Sequence, residues 1–231
     1  MKQKAHNCDL HSCFLCQRCL PEWIPAVEAH RKTLQFKKGE LIFEEGQIVK
    51  GIYFVYSGTV KVHKQWGSEK ELIIRFARKG SIFGHRGLGM DHHYPISATA
   101  LEPVTACYID LAFFQAAIRV NPGFTQGLLL FFADELQESE KKMRNLAHMQ
   151  VKGRVAQALL QLREQFGVTV EGYLGLTLSR QDLASLVGAT YETVFRTINE
   201  LAQERLILVD GKHIGIANAQ GLQQYTLETG G

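Results

Sequence analysis

The stretch LSRQDLASLVGATYETVFRTINELAQER, residues 178–205, reads as two helices joined by a tight turn. Ser179 stands where it can cap the first helix, with Asp182 three residues on, a pairing that satisfies amides left over at a helix start. Leu183, Leu186 and Val187 give that helix one apolar stripe, and the small Ala184 lets a second helix cross closely. Gly188 supplies the permissive backbone of a short turn. Thr190 then caps the second helix, whose Val194, Ile198 and Leu201 recur at helical spacing and face the first. Tyr191, Glu192, Phe195 and Arg196 are left pointing outward near its start. That is how a helix-turn-helix presents side chains to the major groove of double-stranded DNA. The unspecific alternative is a small helical domain with a glycine between two amphipathic helices.

Downstream, Leu206, Ile207 and Val209, then Asp210-Gly211, then Ile214 and Ile216 predict a short hairpin whose turn suits positive φ. Two helices plus a hairpin make a winged helix. Charge adds little: from residue 151 onward there are seven Lys/Arg and eight Asp/Glu, so the +3 surplus of the chain lies earlier. Any basic surface here must be local, from Lys152, Arg154, Arg180, Arg196 and Lys212.

At 231 residues the chain suits two small domains or one large one. Its longest apolar run, residues 127–133, is too short to cross a membrane. The N-terminal residues 8–19 are interrupted by Asp9, His11, Gln17 and Arg18 and form no apolar signal core. A cytoplasmic protein with no membrane partner is expected.

Cys8, Cys13, Cys16 and Cys19 fall within the run CDLHSCFLCQRC, while Cys107 stands alone. Clustered cysteines in a cytoplasmic chain point to metal or redox sites rather than disulfides. Cys-x-x-Cys-x-x-Cys lets three thiolates converge from a compact loop, and a fourth completes a cubane iron–sulfur cluster. Zinc accepts four thiolates as well, and reduced thiols with no metal are the plainer alternative. Cys107 taken alone reads as a small buried hydrophobe.

Residues 31–110 read as β. Short runs at 40–43, 51–56, 59–63, 71–76 and 82–83 are punctuated by glycines, with 96–101 and 104–109 as the last strands, which suggests an antiparallel roll or barrel. A long helix is predicted over 124–149. Leu129, Phe132, Leu136, Ser139, Met143 and Leu146 recur at alternating spacings of three and four, a heptad seam longer than packing on one roll needs. It reads as a dimerisation helix, against the alternative of a helix packed within its own subunit. The pattern breaks near 148–153, where a new helix begins.

This order of parts resembles the Crp–Fnr family of bacterial transcription regulators over nearly the whole chain. The resemblance rests on KGELIF with EG at 38–46, YFVYSG at 53–58, GSIFG at 80–84, SRQDL at 179–183 and ETVFR at 192–196. It implies an α+β chain. Residues 1–30 would be a cysteine-rich segment and 31–120 a cyclic-nucleotide-binding-like antiparallel β-roll, a double-stranded β-helix. Residues 121–150 would be the dimerisation helix, and 151–231 a winged helix-turn-helix. It implies a homodimer on a two-fold symmetric operator, with RNA polymerase as a candidate partner. By resemblance Glu192 and Arg196 read base edges with Tyr191 beside them, in keeping with Arg donating to guanine and Glu accepting from cytosine. Ser179, Arg180 and Thr193 match positions that hold the phosphate backbone. Phe195 departs from the small residue often found there and either touches a thymine methyl or packs inward.

Members that bind cyclic nucleotides carry a glutamate where this chain has Gly84-His85-Arg86, and an Arg-Ser pair where it has Pro95-Ile96-Ser97. A phosphate pocket without that arginine, and with proline removing a donor, is expected to bind cyclic nucleotide poorly. Arg86 is poorly spaced to replace it. The oxygen-sensing branch instead holds a [4Fe–4S] cluster on N-terminal cysteines plus one in the roll. The resemblance assigns Cys13, Cys16, Cys19 and Cys107 to such a cluster, with Cys8 as substitute, although the N-terminal spacing is tighter than usual there. A small-molecule effector in the roll is the alternative. A metal-handling redox enzyme is a remote one, because no nucleophile–base–orienter set is in view and His85, His92 and His93 read as surface-loop histidines.

Overall fold

A computed structural model describes residues 10–67 and 70–227. The chain divides into two compact units, residues 1–136 and 137–231. In the first, a single-turn helix at Pro21–Trp23 leads into α1 (Ile24–His30). Eight strands follow: β1 (Lys32–Phe36), β2 (Leu41–Phe43), β3 (Gly51–Ser57), β4 (Val60–Trp66), β5 (Lys70–Ala77), β6 (Ile82–Phe83), β7 (Ser97–Ala100) and β8 (Val104–Asp110). They form two four-stranded antiparallel sheets, ordered β1-β8-β3-β6 and β2-β7-β4-β5. Two helices close the unit: α2 (Leu111–Val120), capped by Asp110 through the Phe113 amide, and the part of α3 (Pro122–His148) up to residue 136. The expected roll is present. β1, α1 and α2 are additions to the elements the glycine punctuation marked.

Register decides what each face of the roll touches, because side chains alternate across a strand. Tyr53 pairs with Tyr108 and Phe83, placing these rings on the inner face. There Phe43 stacks on Tyr94 at 4.0 Å and Tyr53 on Phe83 at 5.1 Å, filling the roll with aromatic rings. The neighbouring pair, Phe54 opposite Cys107, faces the other way. Phe54 meets Phe114 of α2 at 6.4 Å, and Phe114 meets Phe124 of α3 edge-on at 5.6 Å. Each such side chain removed from water contributes about 1.5–3 kcal/mol.

The second unit holds α4 (Val151–Phe166), α5 (Arg180–Val187), α6 (Tyr191–Gln203), β9 (Ile207–Asp210), β10 (His213–Ile216) and α7 (Ala219–Gln224). α3 stops at His148 and α4 starts at Val151, where the sequence pattern breaks. Val155, Leu159, Leu183, Val194, Ile198, Leu201 and Leu222 are buried together as the core of this unit.

Candidate nucleic-acid interface and cysteine site

The two helix starts in the second unit are built as the sequence predicts. The Asp182 amide donates to Ser179 Oγ at 2.9 Å, and that hydroxyl donates to the Asp182 carboxylate at 2.6 Å. The Thr193 amide donates to Thr190 Oγ1 at 3.3 Å. Between them Gly188 closes α5 in the left-handed region, at φ 64°, which a side chain would strain. β9 and β10 pair from Asp210 opposite His213 to Ile207 opposite Ile216, leaving Gly211-Lys212 as the wing's two-residue turn. Gly211 has φ 53°.

α6 is fixed by its buried flank of Val194, Thr197, Ile198 and Leu201, so its other edge must face solvent. Tyr191, Glu192, Phe195 and Arg196 all lie on that exposed edge, and Thr193 is half-buried beside it. Phe195 is 48% exposed, which settles the open choice between outward and inward in favour of outward. At the start of α5, the Ser179 side chain is engaged as the cap. Arg180 donates to the wing carbonyl of Gly211 at 3.0 Å. Lys152 is paired with Glu204 at 2.5 Å, and Arg154 donates to the carbonyls of Leu146 and Met149. Those two cations hold the unit together, so the local basic surface rests on Arg196, Lys212 and Arg180.

The cysteine segment is tied to the first unit at several points. The Phe14 amide donates to the Gly80 carbonyl at 3.0 Å. The Phe14 ring touches Phe124 edge-on at 6.1 Å and Phe131 at 5.1 Å. Arg18 stacks over Phe14 and lies against Gly123 and Gly127 of α3, where no side chain intervenes. The Leu20 amide donates to Oδ1 of the buried Asn121 at 2.8 Å. Cys13 and Cys16 are buried, Cys19 is half-buried, and Cys107 is buried in β8. Burial, then the charge of Cys13, pushes the Cys19 thiol up to about 11, so these two sulfurs sense each other. Phe14, Phe124, Phe114 and Phe54 thus form a chain of ring contacts from the cysteine turn to the strand neighbour of Cys107. Among the described residues, no three His, Cys, Asp or Glu side chains converge as a preformed metal cage. Cys8 lies outside the described residues.

One site escaped sequence reasoning. Glu135 of α3 receives Arg75 Nε at 2.7 Å, His85 Nε2 at 3.0 Å and Arg86 Nε at 3.0 Å. Burial opposes ionisation of Glu135, but the His85 hydrogen bond and the Arg75, His85 and Arg86 charges outweigh it and bring the carboxyl down to about 2. His85 is 1% exposed and sits edge-on between Phe131 and Phe132. Its reading as a surface-loop histidine is therefore corrected: the short helix at His85–Leu88 turns it inward. Ser97, the remaining half of the Arg-Ser position, accepts from the Glu45 amide at 3.0 Å.

Along α3, Leu129, Leu136 and Met143 recur every seventh residue and are each at least 60% exposed. Ser139 and Leu146 flank them, half-buried, while Phe132 packs partly against the roll. An apolar stripe of this kind on one continuous helix suits a partner helix.

A sensor-like roll, a long helix and a winged helix-turn-helix define a DNA-binding transcription regulator. The chain belongs to the Crp–Fnr family: residues 33–121 match the cyclic nucleotide-binding domain and residues 153–225 the Crp-like helix-turn-helix domain. It is 28% identical over 204 residues to the CRP-like cAMP-activated global transcriptional regulator of Mycobacterium tuberculosis, covering 87% of this chain and 91% of that one. It is 26% identical over 234 residues to the fumarate and nitrate reduction regulatory protein of Escherichia coli K12, covering 96% and 92%. FixK2 from Bradyrhizobium japonicum shares the fold with a TM-score of 0.76, at 24% identity over 87% of this chain and 99% of that one. The first two of these relatives are named as regulators. Among the described residues no helix is long and apolar enough to cross a membrane.

Proposed function

We propose that this transcription regulator works as a homodimer on two-fold symmetric DNA and senses oxygen or redox state through a [4Fe–4S] cluster held by Cys13, Cys16, Cys19 and Cys107. The observation that supports the proposal is that Cys13, Cys16 and Cys107 are buried in the same apolar cluster, with Cys19 packed against it. Three thiols in one turn and a fourth in β8 are the kind of donor set an iron–sulfur cubane takes. When bound, such a cluster supplies an oxygen-labile iron–sulfur core that ties the N-terminal segment to the roll.

The chain's own residues supply the rest. Arg18 and Asn121 anchor the cysteine turn directly on the first turns of α3, the helix that carries the exposed seam. A change at the cysteines therefore acts on the start of that helix first. Two copies joined along Leu129, Leu136 and Met143 would present two α6 helices to successive half-sites. We further infer that cyclic nucleotide is not the effector, because His85 and Ser97 are already engaged with Glu135 and the Glu45 amide.

The test is anaerobic purification with iron and sulfide counted per chain and a visible spectrum taken before and after air. About four of each, with colour that bleaches in oxygen, supports the proposal. A colourless, iron-free chain after reconstitution contradicts it and moves the effector search into the roll.

A further inference from the structure

Tyr191 and Phe195 lie one helical turn apart on the exposed edge of α6. Their rings are nearly parallel, inclined by 14°, with centroids 6.1 Å apart. They are 43% and 48% exposed. Residues four apart share a helix face, and here the opposite flank is locked by the buried Val194, Ile198 and Leu201. The aromatic pair therefore cannot roll inward to escape water. It forms an apolar shelf flanked by Glu192 and Arg196, two side chains that carry hydrogen-bonding groups for base edges.

We propose that this shelf is a thymine-reading element: Tyr191 and Phe195 take the 5-methyl groups of thymines next to the guanine–cytosine pair contacted by Glu192 and Arg196. The proposal rests on α6 being the recognition helix. In the major groove the thymine methyl is the one apolar group that a base pair displays, and side chains such as phenylalanine meet it by contact. Hydrogen-bonding groups on Glu192 and Arg196 distinguish guanine from cytosine, but neither rewards a methyl group. The ring spacing is near twice the ~3.4 Å rise between bases on one strand, so the shelf spans thymines two steps apart, one on either side of an intervening pair. Burying one methyl corresponds to about a fourfold gain in affinity.

The test uses the full-length protein, purified anaerobically, and a pool of random-sequence duplexes. The enriched duplex is resynthesised with uracil in place of thymine at each position in turn, which removes a methyl and leaves every hydrogen-bonding group unchanged. The expected result is about a fourfold loss at one or two positions per half-site. Phe195→Ala should abolish that loss while keeping the dependence on the adjacent guanine–cytosine pair. Phe195→Leu, which keeps an apolar contact, should retain part of it. Circular dichroism of both variants checks that α6 still folds. A duplex bound equally well with thymine or uracil overturns the thymine-reading proposal alone. A pool that enriches nothing contradicts the recognition-helix reading as well, and the two failures are thereby told apart.

Discussion

His85 Nε2 and Glu135 Oε2 meet at 3.0 Å across fifty residues of sequence, joining the turn after β6 to the middle of α3. Arg75 and Arg86 close on the same carboxylate, so one acidic side chain holds two guanidinium groups and a buried imidazole. Removing one member of such a buried network leaves the others uncompensated. Glu135→Ala is expected to destabilise the first unit by about 3–5 kcal/mol. Urea unfolding followed by far-ultraviolet circular dichroism measures it, and an unchanged midpoint would show the network to be dispensable.

The same network sets a pH dependence. Burial, with Arg75 and Arg86 adding to it, holds His85 below its ordinary 6.5 despite the hydrogen bond to Glu135. The fold therefore resists protonating His85 more than the unfolded chain does, and acidification below about 6.5 favours unfolding. Glu135 drops from 4.5 to about 2, so its contribution is complete above 4.5 and is lost as the pH falls through about 2. Thermal midpoints across this range should decline in both windows. Glu135→Gln should remove part of the lower decline, and only part, because Glu71, hydrogen-bonded to His63, is also held down to about 2.

The helix starts in the second unit make separable contributions. Ser179→Ala and Thr190→Ala each remove a cap and are expected to cost about 1 kcal/mol. Gly188→Ala forces a side chain into the left-handed region at a cost of about 1–2 kcal/mol. Scanning calorimetry should show all three lowering the transition of the second unit and sparing that of the first.

The α3 stripe makes the oligomeric state testable. Leu136→Glu and Met143→Glu each place a charge on the seam where an apolar residue recurs every seventh position. Sedimentation velocity should find the parent chain dimeric and the double variant monomeric, with weaker binding to two-fold DNA. A double variant that remains dimeric would place the interface elsewhere.

Gly80 is the point where the roll receives the cysteine turn. Its φ is 85°, and a Cβ there would run into the carbonyl of Ser12. Gly80→Ala should therefore lift the 13–19 turn from the sheet. In metal-free protein, a thiol reagent should then modify Cys13 and Cys16 faster than in the parent.

Local chemistry was legible in the sequence. Ser179, Gly188 and Thr190 each declare a cap or turn within four residues of the helices they serve, and the wing turn at Gly211 does the same. The roll was legible as glycine-punctuated runs, although β1 lacked that punctuation. What escaped was pairing at long range. Glu135 sits one residue before the seam position Leu136 and looks like a solvated helix charge. Only the fold brings Arg75 and His85 to it. The placement of Phe14 against α3 was hidden for the same reason, since nothing in CDLHSCFLCQRC marks which surface the turn covers. Phe195 was ambiguous because its direction depends on the buried flank of α6.

If the cysteine site governs DNA binding, as proposed, affinity for DNA must follow the state of that site. Affinity for an enriched two-fold duplex should be measured without oxygen for the parent chain and for Cys107→Ser, and again for both after air. The expected result is tight anaerobic binding by the parent, lost on exposure to air, and weak binding by Cys107→Ser in both conditions. Equal anaerobic binding by the two proteins, unaffected by air, would contradict it.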